Sequence, residues 1–398
     1  MLTKKHILLG ISGGIAAYKM PDLVHALTKA GHDVKVILTK SAESFVSPLV
    51  LATLTKNKVW REEDFLAPSY GYQIPHISLV EWADLFVLCP ATANTLHVAA
   101  TGDASTLLGS TFVANTKPVL IFPAMNCNML AKETVQNDIA TLKQRGATVV
   151  DPDAGLLACG YEGKGRLPAK NVLLDFINYA LTEKDLSGKK IVVTAGPTHE
   201  YIDPVRFISN PSSGKMGYAL AMAARARGAE VTLISGHVDI VPPADIRIIS
   251  ITSAKEMLDA TLSCANDYNV MIKAAAVGDY SCKQVATQKI KRESKGGFSL
   301  QLKENKDIAA ELGKIKKQNQ ILVGFAAETN DVMQNAKKKL ASKNLDMIVA
   351  NDVTAQNAGF ATDTNTVHII TKNAPATEVT GTKLEVANTI LDNIKALF

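Results

Sequence analysis

Residues 6–11, His6-Ile7-Leu8-Leu9-Gly10-Ile11, form an apolar run that stops abruptly at Ser12-Gly13-Gly14. A short apolar run closed by glycines reads as a strand buried on both faces. Helical spacing follows from Ile15 to Ala30, and Gly31 suits its C-cap. The next run, Val34-Lys35-Val36-Ile37-Leu38, is short and β-branched. Asp84 to Cys89, Pro118 to Phe122 and Ala147 to Val150 are further buried-strand candidates, with helical stretches between them. This βαβ rhythm predicts a parallel, doubly wound sheet.

The rhythm restarts near 183–189, a polar stretch that reads as a linker. Lys190 to Thr194 is a strand, and Ala195-Gly196-Pro197-Thr198 closes it. A helix is expected from about Gly214 to Gly228, then the strand Glu230-Val231-Thr232-Leu233-Ile234-Ser235. At roughly 100–200 residues per domain, 398 residues make two such domains. The expected division is 1–188 and 189–398, each half an α/β Rossmann-like domain with a site at the carboxyl ends of its strands.

Composition narrows the function. The chain is 47% apolar and 20% charged, which suits full cores. Its net charge of +5 is too small and too dispersed to argue for nucleic acid. No apolar run approaches the ~18 residues of a membrane span. The five cysteines are odd in number and widely spread, which argues for a reducing, cytoplasmic setting rather than a disulfide framework. Neither C-x-x-C nor H-x-x-x-H occurs, so a structural zinc site is not expected.

The turn Gly10-Ile11-Ser12-Gly13-Gly14 lets an anion approach the backbone at a helix N-terminus. It is not G-x-G-x-x-G, and the second strand ends in Thr39-Lys40-Ser41 instead of an acidic residue. That favours a mononucleotide such as FMN over NAD. The third and fourth strands end in Pro90-Ala91-Thr92-Ala93-Asn94 and Pro123-Ala124-Met125-Asn126. These amides suit flavin or carboxylate recognition, though helix capping would account equally for Asn94. Cys159 lies among Gly155, Gly160, Gly163 and Gly165, the composition of a mobile lid carrying an acidic thiol.

These residues resemble the flavin-dependent cysteine decarboxylases. The resemblance rests on residues 10–19, His76-Ile77-Ser78-Leu79, Pro123-Ala124-Met125-Asn126-Cys127-Asn128-Met129 and Ala158-Cys159-Gly160. Leu130 departs from the aromatic residue frequent there. It implies a flavodoxin-like first domain that binds FMN through Gly10, Ser12, Gly13, Gly14, Thr39, Ser41, Pro90, Thr92, Asn94, Ala124 and Met125. It further implies His76, Asn126 and Cys159 as catalytic residues, with Asn126 on the substrate carboxylate and Cys159 as the acid. Decarboxylating a cysteinyl amide leaves a carbanion with no electron sink, and oxidising the thiol carbon creates one.

In the second half, Ser209-Asn210-Pro211-Ser212-Ser213-Gly214-Lys215 precedes a helix and reads as another anion cradle, with Ser213 a possible N-cap. Lys289-Ile290-Lys291-Arg292 is a basic run, ordinarily a solvated face. Lys339 and Lys343 are four apart on an expected helix and share a face. With Lys289 they could neutralise a triphosphate.

This half resembles the CTP-using phosphopantothenate–cysteine ligases, through residues 194–198, 203–210, 212–217, 289–292, 324–329 and 350–352. Lys306, where the family usually has Pro, and Arg292, which replaces a lysine, depart from it. The resemblance implies Lys289 and Asn210 as catalytic residues and an acyl-cytidylate intermediate. It implies CTP binding by Asp279, Lys289, Lys306, Asp307, Ile308, Ala309, Phe325, Lys339 and Lys343, with Mg²⁺ on the phosphates and Asp279 its candidate ligand. Expected partners are therefore small molecules (4′-phosphopantothenate, cysteine, CTP and 4′-phosphopantothenoylcysteine), with neither nucleic acid nor membrane, in a homo-oligomer. Two rival readings are a flavin-binding regulatory subunit and a single-activity protein with one inactive half.

Overall fold

The computed structural model describes residues 4–67, 71, 73–158, 160–242, 245–291, 299–328, 331–352, 362–372 and 374–398. The chain divides into two compact units, Met1–Thr182 and Glu183–Phe398.

The first unit contains β1 (His6–Ile11), β2 (Asp33–Leu38), β3 (Val59–Arg61), β4 (Leu85–Ala91), β5 (Val119–Pro123) and β6 (Thr148–Val149). They form one parallel sheet in the order β3-β2-β1-β4-β5-β6. Without the three-residue edge strand β3, the order is the 2-1-3-4-5 of a flavodoxin-like sheet. β1 is apolar throughout because both its faces are covered. Ile7, Leu9 and Ile11 enter one core, and Leu8 enters the core on the opposite face with Ile37 and Phe86.

The helix expected from Ile15 begins instead as a 3₁₀ turn, Ile15–Lys19, and becomes α-helical only over Met20–Lys29. Pro21 has no N–H to donate to the carbonyl four residues back, so an α-helix running through from Ile15 would lose that bond. A two-stranded hairpin, β7 (Asp153–Leu156) and β8 (Glu162–Arg166), follows the sheet.

The second unit contains β9 (Lys190–Ala195), β10 (His199–Tyr201), β11 (Phe207–Ser209), β12 (Glu230–Ser235), β13 (Arg247–Ser250), β14 (Val270–Lys273), β15 (Tyr280–Cys282), β16 (Leu302–Glu304), β17 (Ile321–Glu328), β18 (Met347–Asp352), β19 (Thr364–Thr371) and β20 (Thr377–Thr382). Its main sheet runs β13-β12-β9-β14-β17-β18-β19-β20. The first six are parallel; β19 and β20 join antiparallel. β10–β11 and β15–β16 are small antiparallel ladders. In both main sheets the winding reverses beside the first strand, between β1 and β4 and between β9 and β14, and ligands bind at the carboxyl side of such reversals.

The stretch 183–189 is not a free linker. Leu186 is buried in the core that holds Ile191, Val193 and the C-terminal helix Lys383–Lys395. Asp185 receives two hydrogen bonds from the buried Arg227 guanidinium, at 2.8 and 2.7 Å, and one from Lys395 at 2.8 Å. Arg227 also bonds Asp392 at 2.7 Å. The polar composition that suggested a connector is the outer half of an ion-pair network.

The Arg227 guanidinium, with Lys395, holds the Asp185 carboxyl down to about 2. This contribution to stability is present above the unfolded value of 3.8 and disappears as pH falls through the folded one. Asp185→Ala leaves Arg227 buried with only Asp392 as its carboxylate partner and should cost about 3 kcal/mol. Urea unfolding at neutral pH should show this loss, and the difference from the parent chain should shrink below about pH 3.

Candidate active sites

At the carboxyl end of β1 the chain must turn without a neighbouring strand to pair with. Ser12 supplies the missing bonds. Its buried hydroxyl donates to Pro90 O at 2.7 Å and accepts from Thr92 N at 3.0 Å, tying the ends of β1 and β4 together. Gly13 crosses the segment after β2 so closely that a Cβ would lie 2.4 Å from Ser41 Cβ and 2.7 Å from its carbonyl carbon. The 3₁₀ turn beyond has Gly14 as N-cap, with no side-chain cap on its N–H groups. Thr39 Oγ1 is buried beside this turn with no partner. A backbone cradle, an uncapped helical N-terminus and an unsatisfied hydroxyl together suit a phosphate.

The neighbouring strand ends complete this edge. Thr92 caps the helix Ala93–Thr101, so Asn94 is not a cap; it is exposed in the first turn. Ala124 N donates to Ala91 O at 3.0 Å, carrying the tie from β4 to β5. Asn126 is the N-cap of the short helix Cys127–Leu130, and its Oδ1 accepts from Asn128 N at 2.8 Å. Leu130 is buried. Hairpin β7–β8 lies on this segment, and Met125 N donates to Gly165 O at 3.0 Å. A Cβ on Gly165 would come within 2.2 Å of Met125 O, and one on Gly163 within 2.9 Å of Cys127 Cβ. The glycines are there for close approach as much as for mobility. Cys159 lies outside the described residues.

His76 stands in the first turn of the helix Pro75–Trp82, its ring edge-on to Phe65 at 5.7 Å. Among the described residues its Nδ1 is buried without a partner, and burial lowers its pKa.

In the second unit, hydroxyls make the same kind of tie. Thr194 Oγ1 accepts from Ala275 N at 3.1 Å, and Thr198 Oγ1 accepts from Gly278 N at 2.9 Å. Asn210 Nδ2 donates to Val277 O at 3.1 Å and Asn305 Nδ2 to Gly278 O at 2.9 Å. Asn305 N also donates to Asp279 O at 2.8 Å. Asn210, Asp279 and the 305–309 segment are thus joined through one loop. Asp307 caps the helix Ile308–Ile315 through Ala310 N at 3.0 Å and pairs with Lys343 at 2.7 Å. Ile308 is a core residue, so only its backbone can face a ligand.

Other expectations land differently. Phe325 packs against the opposite core from Ile308 and Ala309, on the far face of the sheet from Asp307. Lys339 and Lys343 lie one turn apart at the end of the helix Val332–Ser342. The second cradle is capped by Gly214, at φ +75°, and not by Ser213, while Lys215 is paired with Asp363 at 2.6 Å. Lys306 and Asp279 are exposed, and among the described residues no group of three or more His, Cys, Asp or Glu is placed to hold a metal.

Lys289 is exposed, but its surroundings are not loose. Asp203, fully buried, accepts from Val205 N, Arg206 N, Arg206 Nε and Ile290 N at 2.8, 2.9, 2.9 and 3.2 Å. Arg206 also donates to Ile290 O at 2.8 Å. Arg206 holds the Asp203 carboxyl well below the usual range. Residue 290 is therefore clamped from both sides, which fixes the backbone that carries Lys289. Arg292 lies outside the described residues. The sequence reading missed roles for Asp203, Arg206 and Asn305. It also missed Lys273, whose signal was a charge ending the apolar run Val270-Met271-Ile272.

Comparison with known proteins accords with this two-site layout. Residues 1–182 match a family profile described as Flavoprotein, and residues 186–397 match the DNA/pantothenate metabolism flavoprotein C-terminal domain. The coenzyme A biosynthesis bifunctional protein CoaBC of Bacillus subtilis (strain 168) is 47% identical over 402 residues, covering 100% of this chain and 98% of that protein. CoaBC of Vibrio vulnificus (strain YJ016) is 40% identical, covering 100% and 98%. The Haemophilus influenzae protein of the same name is 41% identical, covering 99% and 98%. With family profiles on both halves and relatives matched from end to end, the chain belongs to the bifunctional coenzyme A biosynthesis protein family.

Proposed function

We propose that the second unit condenses 4′-phosphopantothenate with cysteine at the expense of CTP, and that the first decarboxylates the product, 4′-phosphopantothenoylcysteine, to 4′-phosphopantetheine. Supporting this reading is the separation of the motifs into two hydroxyl-tied sheet edges, one in each unit.

In the first unit FMN would be held by Gly10, Ser12, Gly13, Gly14, Thr39 and Ser41 at its phosphate end. Pro90, Thr92, Asn94, Ala124 and Met125 would line the rest. The buried, unpartnered Thr39 hydroxyl fits that role. When bound, the flavin would supply a reversible two-electron acceptor, taking two electrons from the thiol carbon so that the carboxylate lies β to an electron sink and giving the same two back once CO₂ has left, so that the cycle is redox-neutral. Asn126 holds the carboxylate. His76 serves the decarboxylation step, and the Cys159 thiol returns a proton to the product carbon.

In the second unit Lys289 meets the charge that develops at the α-phosphate as the acyl cytidylate forms. Asn210 positions that intermediate for the cysteine amine. Asp279, Lys306, Asp307, Lys339 and Lys343, with the backbone of Ile308 and Ala309, hold CTP; Phe325, on the far face of the sheet, is left out of this set. Mg²⁺ enters with the triphosphate, ligated mainly by phosphate and water, with Asp279 as the protein's own donor. A cytoplasmic homo-oligomer is the setting this reading implies.

The direct test supplies phosphopantothenate, cysteine, CTP and Mg²⁺ and follows pyrophosphate and CO₂ separately. Both should appear. Pyrophosphate without CO₂ would favour a chain whose first half is inactive; neither product, with CO₂ still released from supplied phosphopantothenoylcysteine, would favour an inactive second half, and no product in either assay would favour the regulatory reading. Gly13→Ala should yield a colourless protein whose visible flavin absorbance is lost, because the new Cβ meets the Ser41 backbone. Pyrophosphate release in that variant should persist. Lys289→Gln should slow pyrophosphate release by about 10²–10³ while decarboxylation of supplied phosphopantothenoylcysteine continues. Asp203→Asn should act in the same direction by freeing residue 290, and should raise amide exchange at Ile290 by about tenfold or more.

A further inference from the structure

Lys273 ends β14, in the middle of the second sheet. Along that strand Val270 and Ile272 enter one core and Met271 the other, so alternation puts Lys273 on the face of Met271. That face is covered by the helices Ala254–Ser263, Ile308–Ile315 and Val332–Ser342. Lys273 is only 8% exposed. Among the described residues it has no hydrogen-bond or ion-pair partner. Lysines are almost never buried this deeply unless paired.

Two charged groups act on it, Asp307 at the start of one covering helix and Lys343 at the end of another. Asp307 is already bonded to Lys343 and to its own helix. The flanking strands present Thr194 and Gly324 in register, and neither titrates. Two lysines therefore share one carboxylate at a helix N-terminus, on the carboxyl side of a parallel sheet. Burial pushes the Lys273 ammonium down to about 7, with Lys343 adding to the effect and Asp307 opposing it.

We propose that Lys273 is a further nucleotide-binding residue of the second unit, which takes up a proton from solvent as the phosphates of the nucleotide enter beside Lys343. The inference rests on the CTP reading above. A polyanion supplies the counter-charge that this lysine lacks, so the charged form is favoured once the phosphates are in place. Binding and protonation are then linked.

The test is calorimetric titration of the full chain with CTP and Mg²⁺ in buffers of different ionisation heat. The difference between the parent chain and Lys273→Met isolates this residue. Uptake attributable to Lys273 should be small near pH 6, where it is already charged, and approach about one proton per nucleotide near pH 8. Inorganic tripolyphosphate should reproduce it; cytidine and phosphopantothenate should not. Lys273→Met should bind CTP at least about tenfold more weakly, while Lys273→Arg should bind without uptake. Folding has its own readout. The folded pKa lies below the unfolded 10.5, so the burial penalty is full below about pH 7 and fades as pH rises towards 10.5. Lys273→Met should therefore unfold at a higher temperature than the parent, most clearly at about pH 6. CTP binding with no such uptake, or uptake and affinity unchanged in Lys273→Met, overturns the inference and leaves the CTP reading standing. Equal uptake driven by phosphopantothenate also overturns it. A parent chain that neither binds CTP nor releases pyrophosphate overturns both.

Discussion

A parallel sheet satisfies its backbone only while its strands run side by side, and where the winding reverses the strand ends must find other partners. Short hydroxyl side chains meet that demand in both units. Ser12 bridges β1 to β4, and Thr194 and Thr198 bridge β9 to the segment after β14. Each bridge leaves a stretch of backbone held open at the sheet edge, which is the requirement for presenting N–H groups to an anion. The proposed chemistry of both units depends on these bonds, although none of these three residues is among the proposed catalytic ones.

Electrostatics separates the two edges. In the first unit the edge is built mainly of uncharged groups: glycines, Thr39, Thr92 and Asn126, with Lys40 between Thr39 and Ser41. That suits a flavin phosphate and a reaction in which CO₂ leaves. The second edge is organised by paired carboxylates and cations. Asp203 clamps the backbone beneath Lys289, and Asp307 stands between Lys343 and the buried Lys273. Handling a triphosphate needs positive charge held at defined points, and fixing the backbone under an exposed lysine achieves this at less desolvation cost than burying the lysine itself.

Much of this was legible in the sequence, because apolar runs closed by glycine, followed by helical spacing, mark parallel strands with little ambiguity. The turns at 10–14, 90–94 and 123–126 followed from the same punctuation, whereas the roles of His76, Cys159, Asn210 and Lys289 rest on family resemblance. What escaped was local or long-range. Pro21 forced a 3₁₀ start on a helix whose apolar spacing looked continuous. The 183–189 stretch looked like a linker because Asp185 finds Arg227 forty-two residues later, and polar composition does not reveal a distant partner. Ser213 lost the capping role to Gly214, whose left-handed φ the residue pattern did not signal. The face of the sheet on which Phe325 lies depends on strand register, which only the folded sheet settles.

The embedding of Leu186 sets an order of folding. Every strand of the first sheet lies before residue 150, so that unit can close while the ribosome is still translating the rest. The second core works the other way. Leu186, at its beginning, shares one cluster with Val386, Ile390 and Ile394 from the last helix, and Lys395 reaches back to Asp185. Its contacts span the whole length of the unit, which makes closure slow and leaves apolar strands uncovered until the helix Lys383–Lys395 has been made. A nascent chain therefore carries one finished unit ahead of one that cannot finish until its final turn of helix emerges. A chain stopped before Lys383 would lack the helix that seals the second core.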